Sequence, residues 1–75
     1  MSSTDKNWWF EIKLQSILDS RRISNREFSR LTGIRHSTIN DLCNNEVKSI
    51  PLKNLAIICE VLNIVDLNEL IKVHK

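Results

Sequence analysis

The stretch Asn25-Arg26-Glu27-Phe28-Ser29-Arg30-Leu31-Thr32-Gly33-Ile34-Arg35-His36-Ser37-Thr38-Ile39-Asn40-Asp41-Leu42-Cys43-Asn44 decides how this chain folds. Ser24 or Asn25 offers an oxygen to cap a helix start, and Glu27 follows in the first turn, where a carboxylate suits the free backbone N–H groups. Phe28 and Leu31 are three residues apart and point inward from a short helix over about 25–32. Gly33 stops that helix in the left-handed conformation. Ile39 and Leu42 then recur at helical spacing with polar residues on every other side, which predicts a helix over 36–44 with a narrow buried stripe and a wide polar face. A polar face that wide exceeds what packing requires. Ser29 is the small residue where the two helices approach, Gly33 is the turn, and Ile39, six positions on, locks the crossing. This is the spacing of a helix-turn-helix, with its motif at about 25–44.

Outward from the motif, the same periodicity extends in both directions. Phe10, Leu14, Ile17 and Leu18 predict a first helix over about 8–21, interrupted by Ser20-Arg21-Arg22. Asn44-Asn45 can end the motif's second helix, because Asn tolerates the left-handed conformation, and Glu46 to Ser49 read as a loop before Ile50-Pro51. Leu55, Ile58, Cys59 and Leu62 make the stripe of a fourth helix ending at Asn63. Asp66 caps a fifth, with Leu67, Leu70 and Ile71 inward. The expected fold is therefore all-α, five helices and no strand.

Composition agrees with that reading. The 75 residues include one Gly, one Pro and no Tyr, too few turn and aromatic residues for a β-sandwich or barrel. Hydrophobic residues at 41% and charged ones at 27% place the chain among globular proteins. The length is half a typical domain of about 150 residues, so one domain is expected over 8–75, with residues 1–7 a flexible N-terminal segment. Such a chain buries only about 60% of its unfolded surface, which makes a second copy a natural source of added stability. Cys43 and Cys59 lack the C-x-x-C spacing of a zinc or redox site and read as buried thiols. The sequence has neither an apolar run long enough for a membrane span nor the pattern of a signal peptide, so a cytoplasmic location and no membrane partner are expected.

The formal charge is only +2, but it is unevenly placed. Residues 21–53 carry Arg21, Arg22, Arg26, Arg30, Arg35, Lys48 and Lys53 against Glu27, Asp41 and Glu46, while both ends are weakly acidic. All five arginines lie in this centre. The guanidinium suits planar recognition of phosphate and guanine edges. On charge alone, a nucleic-acid surface and a merely solvated helix face remain equal readings.

The residues Glu27-Phe28-Ser29-Arg30-Leu31-Thr32-Gly33-Ile34, then Ser37-Thr38-Ile39-Asn40-Asp41-Leu42-Cys43-Asn44-Asn45, then Ile50-Pro51-Leu52-Lys53-Asn54-Leu55 running through Ile58-Cys59-Glu60-Val61-Leu62-Asn63-Ile64, together resemble the lambda-repressor-like helix-turn-helix proteins of the phage Cro and repressor type. The resemblance covers about residues 10–71 and implies a sequence-specific transcriptional regulator that places its third helix in the major groove of operator DNA, commonly as a homodimer. By resemblance, Arg35, His36, Ser37 and Asn40 face bases, and Asn25 contacts phosphate while bracing the recognition helix. Asn44 and Thr38 are further phosphate contacts, as are the basic side chains Arg26 and Lys48. Physical chemistry is consistent with this, since Arg to guanine and Asn to adenine are favoured bidentate pairs, which singles out Arg35 and Asn40. The chain departs from the family pattern at three places: Ser29 where Ala is usual, Arg35 where a Ser or Thr cap is common, and Asn45 where Gly is usual. Ser29 fits if its hydroxyl bonds a carbonyl one turn back. Asp41, beside the reading face, would repel phosphate unless paired.

The remaining residues give weaker signals. His36 and His74 have no metal-ligand spacing with each other or with a Cys, so no metal or other cofactor is expected, nor a small-molecule ligand. Trp8 and Trp9 fit either an interface or core packing, at least one of them against the last helix. Ile57, Val61 and Val65 form a second stripe that would serve as a dimer patch or fill space under helices one and five. The sequence has no nucleophile and base at motif spacing and no phosphate-binding Gly-rich loop, so an enzyme is not expected. The alternative to a DNA-binding regulator is a protein-binding module, such as an antitoxin or anti-repressor partner, that would use Trp8, Trp9, Ile57, Val61 and Val65.

Overall fold

A computed structural model describes residues 8–75. The element order is β1 (Trp9–Ile12), α1 (Leu14–Arg21), α2 (Asn25–Thr32), α3 (His36–Cys43), α4 (Leu52–Leu62), a 3-10 turn (Leu67–Glu69) and β2 (Ile71–His74). The expected residues 1–7 segment lies outside the described residues.

Local chemistry sets the helix ends. Ser24 accepts from Glu27 N at 3.0 Å and so starts α2, while Gly33 at φ 75° ends it. Arg22 and Asn63 take the left-handed conformation after α1 and α4, at φ 59° and 56°. The helices share one core built from Leu14, Leu18, Phe28, Ile34, Ile39, Leu42, Ile58, Leu62, Ile64 and Leu70. The side chains assigned to that core by helical spacing are mostly there, but Phe10, Leu31 and Leu67 are not, at 64%, 54% and 47% exposed. Phe10 lies on β1 and Leu67 on the 3-10 turn, so neither follows the helical stripe that the sequence suggested. Leu31 is on α2 but faces away from it.

The described residues hold four α-helices rather than five, and a small sheet that the sequence reading lacks. The segment expected to open helix one is β1, and the expected fifth helix is a single 3-10 turn followed by β2. Asp66 does cap that turn, accepting from Asn68 N at 3.0 Å. However, Ile71-Lys72-Val73-His74 is β-branched at alternate positions and pairs antiparallel with Trp9-Phe10-Glu11-Ile12. The register joins Trp9 to His74, Phe10 to Val73, Glu11 to Lys72 and Ile12 to Ile71. Lys13 N donating to Leu70 O at 2.7 Å continues the pairing to the start of α1, and Ile12 N donates to Asn45 Oδ1 at 3.1 Å. The last bond ties the sheet to the loop after α3.

On a strand, neighbouring side chains point to opposite faces instead of lying about 100° apart on a helix. Trp8, just before β1, and Trp9, its first residue, are both exposed, and neither packs into the core. Trp9 stacks on His74 with ring centroids 4.1 Å apart, and His74 Nε2 lies 2.8 Å from Glu11 Oε1 on the same face. Lys75 Nζ sits over the Trp8 ring at 5.4 Å. Among the described residues no helix is long and apolar enough to cross a membrane.

Candidate nucleic-acid interface

The turn between α2 and α3 is braced by side chains as well as by backbone geometry. Ser29 Oγ donates to the Ile34 carbonyl, across the turn and forward in sequence, where a bond one turn back was the expectation. The bond spans the turn and ties α2 to the segment that leads into α3. Thr32 Oγ1 takes the backward role, donating to Phe28 O at 2.9 Å and accepting from Ile34 N at 3.1 Å. A Cβ on Gly33 would meet nothing within 4 Å, so glycine is required there by its positive φ and not by lack of space.

With the turn fixed, α3 is held by Ile39 and Leu42, both buried against the core. Arg35, His36 and Ser37 stand exposed at its N-terminal end. No side chain caps α3: Arg35 at its N-cap makes no cap hydrogen bond, which leaves the first backbone N–H groups free for an anion. Asn40 is half-buried, and its Oδ1 accepts from Asn25 Nδ2 at 2.9 Å, joining the start of α2 to α3. Asn25 Oδ1 in turn lies 3.7 Å from Cys43 Sγ. Burial, with the negative charge of Asp19 adding to it, pushes the Cys43 thiol above its ordinary range, so it stays protonated and able to donate.

Among the other residues singled out from the sequence, Lys48 lines a groove with Phe10, Asn45 and Ile71 beside the sheet. Arg26 is exposed on α2, Asn44 is exposed at the C-cap of α3, and Lys48 is exposed in the following loop. Asp41 is exposed beside them. Thr38 is half-buried in a cleft of about 490 Å³ that Thr32, Gly33, Ile34, Arg35, Lys53, Asn54 and Ile57 also line. Lys53 and Asn54 come from the first turn of α4, whose N-cap Pro51 likewise makes no side-chain cap bond. Lys53 counts toward the basic centre of the sequence, but neither it nor Asn54 is among the DNA contacts expected from the sequence. The signal available was the Lys53-Asn54 pair in the first turn of a helix opened by Pro51-Leu52.

Asn45 accounts for its own departure from glycine. It adopts φ 59°, which Asn tolerates, and its side-chain oxygen holds β1, which glycine could not do. The Ile57, Val61 and Val65 stripe expected on helix four spans two environments, and Trp8 and Trp9 stand apart from it on or beside the sheet. Ile57 is half-buried in the cleft beside Arg35, and Asn63 ends α4 before Val65, which is 94% exposed. Both cysteines are free thiols and half-buried. Among the described residues no group of three or more His, Cys, Asp or Glu is placed to hold a metal ion.

No curated protein and no solved structure matches the chain. The family model for the Cro/C1-type HTH DNA-binding domain matches residues 13–75, which takes in all four α-helices and β2 and begins immediately after β1. A helix-turn-helix with an uncapped, exposed third helix, matched over most of its length by that model, places this chain in the family: it belongs to the Cro/C1-type helix-turn-helix DNA-binding domains.

Proposed function

We propose that residues 8–75 act as one cytoplasmic DNA-binding unit that represses transcription by occupying an operator, with α3 in the major groove. The supporting observation is the division of α3: Ile39 and Leu42 anchor one side to the core, while Arg35, His36 and Ser37 project from its uncapped start. A major groove about 12 Å wide admits a helix presented in this way. In this reading Arg35, His36, Ser37 and Asn40 read bases. Asn25, Arg26, Thr38, Asn44 and Lys48 hold phosphates, with Lys53 and Asn54 extending that row along the cleft. The excess of basic residues over 21–53 supplies the non-specific attraction that brings such a protein to DNA. The bound form is a homodimer on a near-palindromic site, each copy placing one α3 in successive turns of groove.

One observation favours a second reading, in which the chain binds a protein. Trp8, Trp9 and Phe10 all stand exposed on or beside the small sheet, and exposed aromatic residues are typical of protein contacts. Selection from a randomised duplex library, followed by titration of the selected site at several salt concentrations, separates the two. A near-palindromic site bound at least about a thousandfold better than scrambled DNA, with affinity falling steeply as salt rises, supports the operator-binding dimer. A single half-site refutes the dimer, and absence of selectivity refutes the DNA reading.

A further inference from the structure

Two amide side chains that face each other can bond in either of two senses, because each carries a donor at one end and an acceptor at the other. Asn25 and Asn40 face each other in this way, and the sense found has Asn25 Nδ2 donating to Asn40 Oδ1. A third group breaks the symmetry. Cys43, one turn beyond Asn40 on the same face of α3, places its Sγ 3.7 Å from Asn25 Oδ1. A thiol is a better donor to a carbonyl oxygen than it is an acceptor from an amide N–H, so it favours the Asn25 oxygen on its own side. That turns the Asn25 nitrogen toward Asn40, and the Asn40 oxygen toward Asn25.

We infer that Cys43 is a positioning residue for base readout: through Asn25 it fixes the amide of Asn40 with its Nδ2 donors available to DNA, so that the position read by Asn40 prefers an accepting base edge and rejects cytosine. The inference rests on the assignment of Asn40 to base readout. In the major groove, adenine and guanine present N7, guanine also O6, and thymine O4, all acceptors; cytosine presents the N4 amino donor. An amide pinned with its oxygen already engaged meets the first three favourably and sets N–H against N–H at the fourth. Without the thiol the two amides can invert together. Asn40 would then turn its carbonyl to the groove, and cytosine would become acceptable. Burial and the neighbouring Asp19 charge keep the thiol protonated at neutral pH, the form this relay needs. Sequence separation does not make the relay visible, because Asn25 and Cys43 come together only when the turn at Gly33 folds α2 back over α3.

The test is the base preference of the full chain, measured by selection from a randomised duplex library for the wild type and for Cys43→Ala, Cys43→Ser and Asn40→Ala. The wild type is expected to disfavour cytosine at one position by about tenfold. Cys43→Ala should lose most of that discrimination there while keeping its preferences elsewhere in the site, a pattern that general destabilisation would not produce. Cys43→Ser, which retains a donor, should restore it. Wild-type preferences in Cys43→Ala, or a Cys43→Ser variant no better than Cys43→Ala, overturn the relay. An Asn40→Ala variant that still rejects cytosine overturns the base-reading assignment itself. One that loses the discrimination while Cys43→Ala retains it leaves base readout standing and refutes only the role of Cys43.

Discussion

Asn45 joins two features whose contributions can be separated by substitution. It sits at φ 59° immediately after α3, and its Oδ1 accepts the backbone N–H of Ile12 at 3.1 Å. Asn45→Gly removes the second feature and leaves the first unstrained. The bond is exposed, so water can replace the lost acceptor, and the expected cost is at the low end of the usual range, about 0.5 kcal/mol. Asn45→Ala removes both. An alanine in the left-handed region costs about 1–2 kcal/mol, so the combined loss is about 2 kcal/mol. For a domain of this size, that difference corresponds to a lowering of Tm by roughly 8–16 °C, against about 2–4 °C for Asn45→Gly. Urea denaturation followed by far-UV circular dichroism measures both, and hydrogen exchange at the Ile12 amide should accelerate in both variants. Equal destabilisation by Gly and Ala would show that the backbone conformation carries no cost. A more stable Asn45→Gly protein with unchanged Ile12 exchange would show that the side-chain bond does not hold β1.

Four further outcomes follow from the same geometry. Gly33→Ala should cost about 1–2 kcal/mol through backbone strain alone, with no steric component, so that a larger loss in denaturation would point to a clash the structure does not contain. Ile39→Ala, at a fully buried site, should lose about 2–5 kcal/mol in urea denaturation and take DNA binding with it. Arg35→Ala should weaken binding to a selected site by about 1–3 kcal/mol while leaving helix content and Tm unchanged, as read by fluorescence anisotropy and circular dichroism. The raised pKa of Cys43 should make its alkylation by iodoacetamide slower than that of free cysteine at pH 8, measured by mass spectrometry of the modified peptide. Because the folded state holds that proton more tightly than the unfolded chain does, the associated stability is present below the ordinary thiol range and is lost as pH rises through the raised value.

The division between what sequence and tertiary structure contribute follows the range of the interactions involved. The motif is legible because its signals are local: Ser24 caps a helix three residues from Glu27, Gly33 takes φ 75° six residues before Ile39, and Ile39 and Leu42 lie one turn apart. The exposure of Arg35, His36 and Ser37 follows from the same periodicity, since a helix that buries one side presents the other. The base-facing and phosphate-facing assignments depended on family resemblance, and the structure adds to them the cleft that brings Lys53 and Asn54 beside Arg35 and Thr38.

The sheet belongs to the tertiary structure. Phe10, Leu14, Ile17 and Leu18 do fall at helical intervals, and Asp66 is a sound cap, so local pattern alone extends helices through both ends of the chain. Yet Trp9–Ile12 and Ile71–His74 are four residues each and pair with each other from opposite ends of the chain, a gain that local periodicity cannot register. Once they pair, Phe10 and Trp9 turn to opposite faces and leave the core, and Asn45 acquires a partner in Ile12. The helix-turn-helix was readable in the sequence because its caps, turn and buried stripe act within a few residues of one another. What closes the domain around it, and the bond between Asn25 and Asn40, came from the folded chain, because those contacts join residues far apart in sequence.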